Sequence, residues 1–304
     1  MKAVVMEAYG DPNHLKMEDV DAPAVGPGEV RVRVHATSVN PIDWKIRSGA
    51  TRGRIDVELP AILGRDLAGE VESVGEGVTG FSIGQRVMAL ANGTYAEYTT
   101  AKANVLAPIP ENLDFKQAAA LPLVVTTGAQ LMERAIKIQP GQKVLVLGAL
   151  GGVGRTAVHV ALDHGATVLA GVRRSEMEEA KSLGAQQIVA IDDERELEKL
   201  HDLDAVADTV GGPTAERALR TLKEGGVFGT TLGVPKGATA RNIRAAGFMA
   251  QPDASRLYEL ADDAARGSFR IPIAKTLPLD QAREAHREAE NGHTHGKIIL
   301  LAAA

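Results

Sequence analysis

The chain has 304 residues, enough to bury a large core and to form more than one domain. A net charge of -5, an aromatic content of 3% and the lack of a basic tract weigh against nucleic acid and anionic membrane as partners, and no apolar run reaches membrane-spanning length. The absence of cysteine excludes disulfides, thiolate catalysis, iron–sulfur clusters and cysteine-ligated zinc.

The opening residues MKAVVMEAYGDPNHLK lack the apolar core of a signal peptide and read as a strand and turn inside the fold, so a cytoplasmic location is the expectation. Residues 2–6 and 29–39 read as strands, the second alternating charged and apolar residues as EVRVRVHATSV. Pro23, Gly26 and Pro27 punctuate the approach to it, and a tight NPIDW turn follows. Glycines then bracket a strand in ILGRDLAGEVESVGEGV, and GFSIGQRVMAL and TYAEYTTAKANVLAPIP continue the pattern of short strands and turns. Up to about residue 110 this predicts a β-rich domain, a small curled barrel without a dinucleotide fingerprint.

From Asp114 helices alternate with strands. Asp114 with Gln117 forms a capping signal for FKQAAAL, Pro122 ends or kinks that helix, and GAQLMERAIKI forms the next before Pro140-Gly141. Strands are predicted at 143–147, 167–172, 187–190, 204–208 and 226–231, with helices at 152–164, 175–183 and 213–223 between them. That rhythm predicts an α/β fold with a doubly wound, mostly parallel sheet. After the ASRLYELADDAARG helix, the segments IPIAKTLPL, QAREAHREAEN and KIILLA lack a βαβ partner and are expected to return to the first domain. The predicted domains are 1–113 with 268–304, and 114–267.

The segment VLVLGALGGVGRTAVHVALDHGATVLAGVRR is a strand, a glycine-rich turn, a helix and a second strand. Ala149-Leu150-Gly151-Gly152-Val153-Gly154 fits the GxGxxG frame with alanine at the first place, preceded by Gly148. Gly151 lets backbone approach a pyrophosphate, Gly154 lets the helix pack on the sheet, and Ala149 fits if its φ is negative. Where an acid would accept ribose hydroxyls, the second strand ends Gly171-Val172-Arg173-Arg174. Arg173 or Arg174 suits a 2′-phosphate, which points to NADPH; the alternative is that both cover a solvated strand end. Val210, in DTVGG, and Leu232 and Gly233, in TTLG, end two further strands where a cofactor crevice lies, or merely form turns. No HExxH occurs, and His293 and His295 are the only tight histidine pair; a solvated loop explains them more simply than a metal, so no metal site is expected.

At this point the chain resembles the medium-chain dehydrogenase/reductase superfamily, in its zinc-independent quinone oxidoreductase branch. The resemblance covers nearly the whole chain and is carried by SVNPIDWKIRSG, LGRDLAGEVESVGEGVTGFSIGQRV, TYAEY, AALPLVVTTGAQ, VLVLGALGGVG and HGKIIL. It implies a GroES-like catalytic domain plus a Rossmann cofactor domain, an active site in the cleft between them, and a homodimer through edge-strand pairing of the cofactor domains. Zinc alcohol dehydrogenases of this superfamily have a cysteine where this chain has Asn40, and His-Glu where it has Arg65-Asp66. The resemblance therefore implies metal-free hydride transfer from NADPH to a quinone or an α,β-unsaturated carbonyl.

By the same resemblance Asn40 lies beside the nicotinamide and donates to the substrate oxygen, or else pins the NP turn. Asp43 braces that turn or acts as an acid, and Lys45 stabilises charge or contacts a phosphate. Thr127, Phe248 and Met249 surround the nicotinamide end, with Gly247 beside them, and Lys297 contacts a cofactor phosphate. Tyr95 and Tyr98 are either proton donors or barrel packing. Arg47, Arg52 and Arg54 favour polar or anionic acceptors, or are simply solvated. Two other readings remain open: a zinc-free dehydrogenase of another carbonyl, and a catalytically silent NADPH-binding sensor or crystallin-like protein.

Overall fold

The structure is a computed structural model that describes residues 1–238, 242–292 and 294–302. The chain divides into two units, residues 1–123 with 252–304, and residues 124–251. Residues 114–123 and 252–267, placed by sequence in the helix–strand domain, thus sit in the first unit. His293, half of the tight histidine pair, lies outside the described residues.

The first unit begins with β1 (Lys2–Met6), β2 (Leu15–Asp19), β3 (Glu29–Val39), α1 (Pro41–Arg47), β4 (Ala61–Ile62), β5 (Asp66–Val74), β6 (Arg86–Leu90), β7 (Tyr98–Lys102), β8 (Ala107–Pro108) and α2 (Phe115–Ala119). In β3 the alternation of sequence becomes an alternation of burial: Val30, Val32 and Val34 are inside and the charged residues between them are not. From Ala36 to Val39 every residue is buried, so Thr37 and Ser38 must find partners inside the protein. NPIDW is not a mere turn. Pro41 occupies the first helical position of α1, where a missing N–H costs nothing. At α2, Asp114 Oδ1 accepts from the Gln117 N–H at 2.7 Å and Gln117 Oε1 from the Asp114 N–H at 2.9 Å, the reciprocal cap read from sequence. α2 packs on β3 and β5, which is why it goes with the first unit.

α3 (Pro122–Gln130) carries the chain into the second unit and runs on as a π-helical segment to Ile136. Pro122 starts this helix. Then come β9 (Lys143–Leu147), α4 (Gly152–Asp163), β10 (Thr167–Val172), α5 (Met177–Ala180), β11 (Gln187–Ala190), α6 (Glu194–Glu198), β12 (Leu203–Asp208), α7 (Gly212–Ala218), β13 (Leu222–Thr230) and β14 (Arg244–Gly247). They form one six-stranded sheet in the order β11-β10-β9-β12-β13-β14, parallel at every pairing. The order reverses beside β9, the place where a doubly wound sheet binds ligands. β9, KVLVL, buries four successive residues because helices cover both faces of such a sheet.

The chain returns to the first unit through α8 (Ala254–Ala265), β15 (Ile273–Pro278), α9 (Ala282–Glu290) and β16 (Lys297–Leu301). Here the sequence reading needs correcting. β15 and β16 are parallel partners with α9 between them, a βαβ unit of their own. β16 then pairs antiparallel with Ala36–Val39 of β3, while β7 takes Glu29–Arg33 on the same edge. This completes a seven-stranded sheet, alongside a three-stranded sheet β2-β1-β4. No helix among the described residues is long and apolar enough to cross a membrane.

Candidate active site

The turn after β9 is built by backbone. Gly148 has φ +74°, and its N–H and that of Ala149 both donate to the Gly171 carbonyl, at 2.9 and 3.0 Å. The left-handed residue is thus Gly148, and Ala149 keeps the negative φ that alanine requires. A Cβ on Gly154 would lie 2.1 Å from the Gly148 carbonyl oxygen, so only glycine permits this closure of helix on turn. Gly151, the residue that caps α4, has no side chain to give it, which leaves the first N–H groups and the positive dipole end of the helix to a ligand. The twelve-residue helix and its glycine cradle fit a dinucleotide pyrophosphate. Sequence reasoning missed Arg155. It is buried, donates from Nε to the Leu150 carbonyl at 2.9 Å, and pairs with Glu179, so it braces the turn from behind.

Gly171 has a steric role as well as lacking an acid, since a Cβ there would sit 2.8 Å from Ile191 Cγ2 and 3.0 Å from the Val146 carbonyl. The two arginines beyond it differ. The Arg173 side chain is 62% exposed, and among the described residues its one ion-pair contact is with Glu176, at 4.0 Å. Arg174 pairs with Asp193 at 2.5 Å and donates its backbone N–H to Asp192 at 2.9 Å. Arg173 is the less committed cation.

Asp208, buried at the end of β12, organises the two remaining turns. Its Oδ1 accepts from the N–H groups of Val210 and Gly211 at 3.0 and 2.8 Å, and its Oδ2 from the Thr230 hydroxyl at 2.8 Å. Sequence reading took DTVGG as a strand end at the cofactor crevice or as a turn, and did not foresee this clamp. It brings Val210, Leu232 and Gly233 together along a cavity of about 360 Å³ that Val234, Pro235 and Lys236 also line. Phe248 and Met249 follow Gly247 at the end of β14, whose partner is Thr230; Phe248 is half-buried and Met249 exposed. Thr127 lies on α3 and is buried.

In the first unit the strand registers bring three polar side chains together. The pairing Ile298↔Val39, continued one step, sets Lys297 opposite Asn40; the pairing Ala36↔Ala68, continued two steps, sets Asp66 opposite Ser38. Lys297 Nζ donates to Asn40 Oδ1 at 2.5 Å, to Asp66 Oδ2 at 3.2 Å and to the Val39 carbonyl at 3.3 Å. Asn40 Nδ2 donates to Asp66 Oδ2 at 2.7 Å, the Ser38 hydroxyl donates to the same oxygen, and the Leu123 N–H donates to Oδ1 at 2.7 Å. Asn40 and Lys297 are 1% and 7% exposed. The Asn40 side chain thus bonds Asp66 and Lys297, and Lys297, expected at a cofactor phosphate, bonds three oxygens of its own unit.

Asp43 braces the turn instead. Its Oδ2 accepts from the Asn40 N–H at 2.8 Å and from the Tyr95 hydroxyl at 3.1 Å. Burial pushes its carboxyl up from 3.8 to about 7, with the nearby Asp66 charge adding to the rise and hydrogen bonds and Lys297 opposing it. Tyr95 is fully buried barrel packing, and its oxygen lies 3.2 Å from His286 Nε2 on α9. Because Tyr95 donates to Asp43, His286 Nε2 carries the ring proton. Burial, with Arg47 nearby, pushes His286 down to about 3. Arg47, expected on a basic rim, is buried and paired with Glu290 at 2.6 Å. Lys45 Nζ lies over the Trp44 ring, 5.6 Å from its centroid.

Residues 26–111 match the family described as alcohol dehydrogenase GroES-like domain, and residues 183–300 the family described as zinc-binding dehydrogenase. The quinone oxidoreductase of Rattus norvegicus is 31% identical, over 99% of this chain and 98% of its own length. The chain belongs to the medium-chain dehydrogenase/reductase superfamily. Within it, the chain is a member of the zinc-independent quinone oxidoreductase family. The 2-haloacrylate reductase of a Burkholderia species is also 31% identical, over 99% of this chain and 99% of its own. Among solved structures, mycobacterial Rv1454c complexed with NADPH superposes with a TM-score of 0.86 at 29% identity, covering 99% of this chain and 100% of that one.

The description of one matching family invites a test for zinc, and the residues of this superfamily member do not fit it. Asn40 presents an amide and Arg65 a guanidinium, both unsuited to Zn²⁺. The one carboxylate, Asp66, is already surrounded by four donors, one of them an ammonium. No cluster of three histidine, aspartate or glutamate side chains able to hold a metal occurs among the described residues.

Proposed function

We propose that this chain is a cytoplasmic, homodimeric, NADPH-dependent reductase of quinones or α,β-unsaturated carbonyls that works without zinc. The observation that carries the reading is the ammonium of Lys297 lodged between Asn40 and Asp66, where a metal-dependent member would need ligands. Without a Lewis acid, the acceptor must itself be electron-poor, as a quinone or an activated alkene is. The named relatives reduce acceptors of that kind, a quinone and a 2-haloacrylate, and a solved relative carries NADPH.

The amides of the turn from Ala149 to Gly154, Leu150, Gly152 and Val153 included, hold the pyrophosphate at the start of α4. Arg173, with Arg174 as the weaker second, meets the 2′-phosphate. Val210, Leu232, Gly233, Thr127, Phe248 and Met249 hold the nicotinamide half. Bound NADPH supplies a hydride, and solvent supplies the accompanying proton. Asn40 donates its remaining Nδ2 hydrogen to the acceptor's oxygen, and Asp43 fixes the backbone of Asn40 so that the donor keeps its place. The open outer edge of β14 serves the dimer.

The test is NADPH oxidation followed by absorbance with a quinone, an alkenal and a simple ketone in turn. Turnover of the quinone or the alkenal is expected. Turnover of the ketone alone would favour a dehydrogenase of another carbonyl, and tight NADPH binding without turnover would favour a sensor.

A further inference from the structure

The zinc stations of this fold are occupied by chemistry of the chain's own. The ammonium nitrogen of Lys297 lies closer to Asn40 Oδ1, at 2.5 Å, than to the carboxylate of Asp66, at 3.2 Å. It is in salt-bridge contact with the carboxylate and hydrogen-bonded to the amide at once, so it is more than the counter-ion of Asp66. Asn40 is held from both ends by partners of opposite type: a donor-only ammonium at Oδ1 and an acceptor-only carboxylate at Nδ2. A flipped amide would set N–H groups against the ammonium and a carbonyl against the carboxylate, so a single orientation survives. One Nδ2 hydrogen is committed to Asp66, while the other finds only a 3.5 Å contact with the Ser38 carbonyl.

We propose that Lys297 is a positioning residue for acceptor reduction: its ammonium fixes the Asn40 carboxamide and, by drawing electron density toward Oδ1, strengthens the weakly bonded second Nδ2–H as a donor to the acceptor's oxygen. Asp66 is the second half of the device. It neutralises the buried ammonium and holds the other end of the amide. This rests on the reading of the chain as a reductase in which Asn40 meets the acceptor. It departs from the expectation that the terminal GK lysine contacts a cofactor phosphate, because all three donors of Lys297 point to oxygens within its own unit.

The experiment uses the full-length protein carrying Lys297→Met together with Asp66→Asn, a pair that removes both buried charges at similar volume and so avoids leaving either one alone. The double variant is expected to melt near the wild type and to bind NADPH within about twofold of it. Its kcat for the quinone or alkenal should fall about tenfold to a hundredfold, with KM little changed. Adding Asn40→Ala should cost little more, since Lys297 acts through Asn40. In the otherwise wild-type background, Lys297→Arg should retain more activity than Lys297→Met. A kcat within twofold of wild type in the double variant would make the pair purely structural and overturn the proposal. A tenfold rise in the NADPH Kd, with a weaker dependence on salt, would return Lys297 to the phosphate and overturn it too. Were the wild type to reduce neither acceptor, the reductase reading itself would fall and the positioning role with it. That outcome is distinct from an active wild type matched by an equally active double variant.

Discussion

The two halves of the candidate machinery are made of different materials. In the second unit the nucleotide seat is backbone: a left-handed Gly148, a helix end at Gly151 and a contact at Gly154 that excludes any side chain. In the first unit the cluster around Asn40 is side chain: a carboxylate, an ammonium and an amide, buried and bonded to one another. A backbone site tolerates little substitution but holds no buried charge that can be stranded. A side-chain site depends on its charges balancing, so removing one member costs more than the bond it made.

That contrast sets the largest expected effect. Asp66→Ala strands the Lys297 ammonium and takes the acceptor from Ser38, Asn40 and the Leu123 N–H. It should cost about 3–5 kcal/mol of stability, read from denaturant melts, without a matching loss of NADPH affinity in whatever protein remains folded. An Asp66→Ala protein as stable as wild type would break the comparison. The counterpart in the second unit is Gly154→Ala. The added Cβ would meet the Gly148 carbonyl at 2.1 Å, so the turn must open. NADPH binding, followed by fluorescence titration, should weaken about tenfold to a hundredfold.

The same division explains what was legible in the sequence. Glycine spacing is a local signal, so VLVLGALGGVG announced both the strand and the turn. Strands at 143–147, 167–172 and 187–190 have the predicted bounds because they are short β-branched or apolar runs between clear turns. β14 was missed because RAAG has no β-branched residue, and α6 because ERELE has too few apolar positions to show a period. The parallel pairing of β15 with β16 is a tertiary fact with no local signature. Asn40, Asp66 and Lys297 are 26 and 231 residues apart in successive steps, and only the registers of β3 with β5 and β16 unite them. Resemblance singled out Asn40 and Lys297 but gave no sign that the two side chains bond each other and Asp66.

A smaller effect concerns the arginines that end β10. With Arg174 engaged by Asp193 at 2.5 Å and Arg173 paired only loosely with Glu176 among the described residues, Arg173→Ala should weaken NADPH binding about tenfold and leave NADH binding nearly unchanged. Arg174→Ala should do less, since part of its charge is already answered by Asp193. Equal losses from the two substitutions would show that the Asp193 pair does not bias the site.

The smallest effect separates two parts of the first unit, the charge-paired cluster at Asn40 and its neighbour at Asp43. In the neighbour, Asp43 Oδ1, His286 Nδ1 and Arg47 Nε and Nη1 have no hydrogen-bond partner among the described residues. Asp43 and His286 are shifted in opposite senses. Asp43 rises from 3.8 to about 7, so between those values the folded protein holds a proton that the unfolded chain has released, and stability falls as pH rises. His286 drops from 6.5 to about 3, so between those values the unfolded chain holds a proton that the folded protein lacks, and stability rises with pH. From about pH 4 to 6.5 the two slopes oppose one another, and the contribution of the pair in the wild type should be nearly flat. Removing either partner exposes the other. Asp43→Asn should make stability increase with pH across this window, and His286→Gln should make it decrease, each on the order of 1 kcal/mol per pH unit relative to wild type. Urea melts at pH 4.5, 5.5 and 6.5 read the slopes directly. Changes of the same sign in both variants, or none in either, would mean that Asp43 and His286 are not the opposed pair their burial makes them, and that the neighbouring cluster is as inert to protons as the glycine turn.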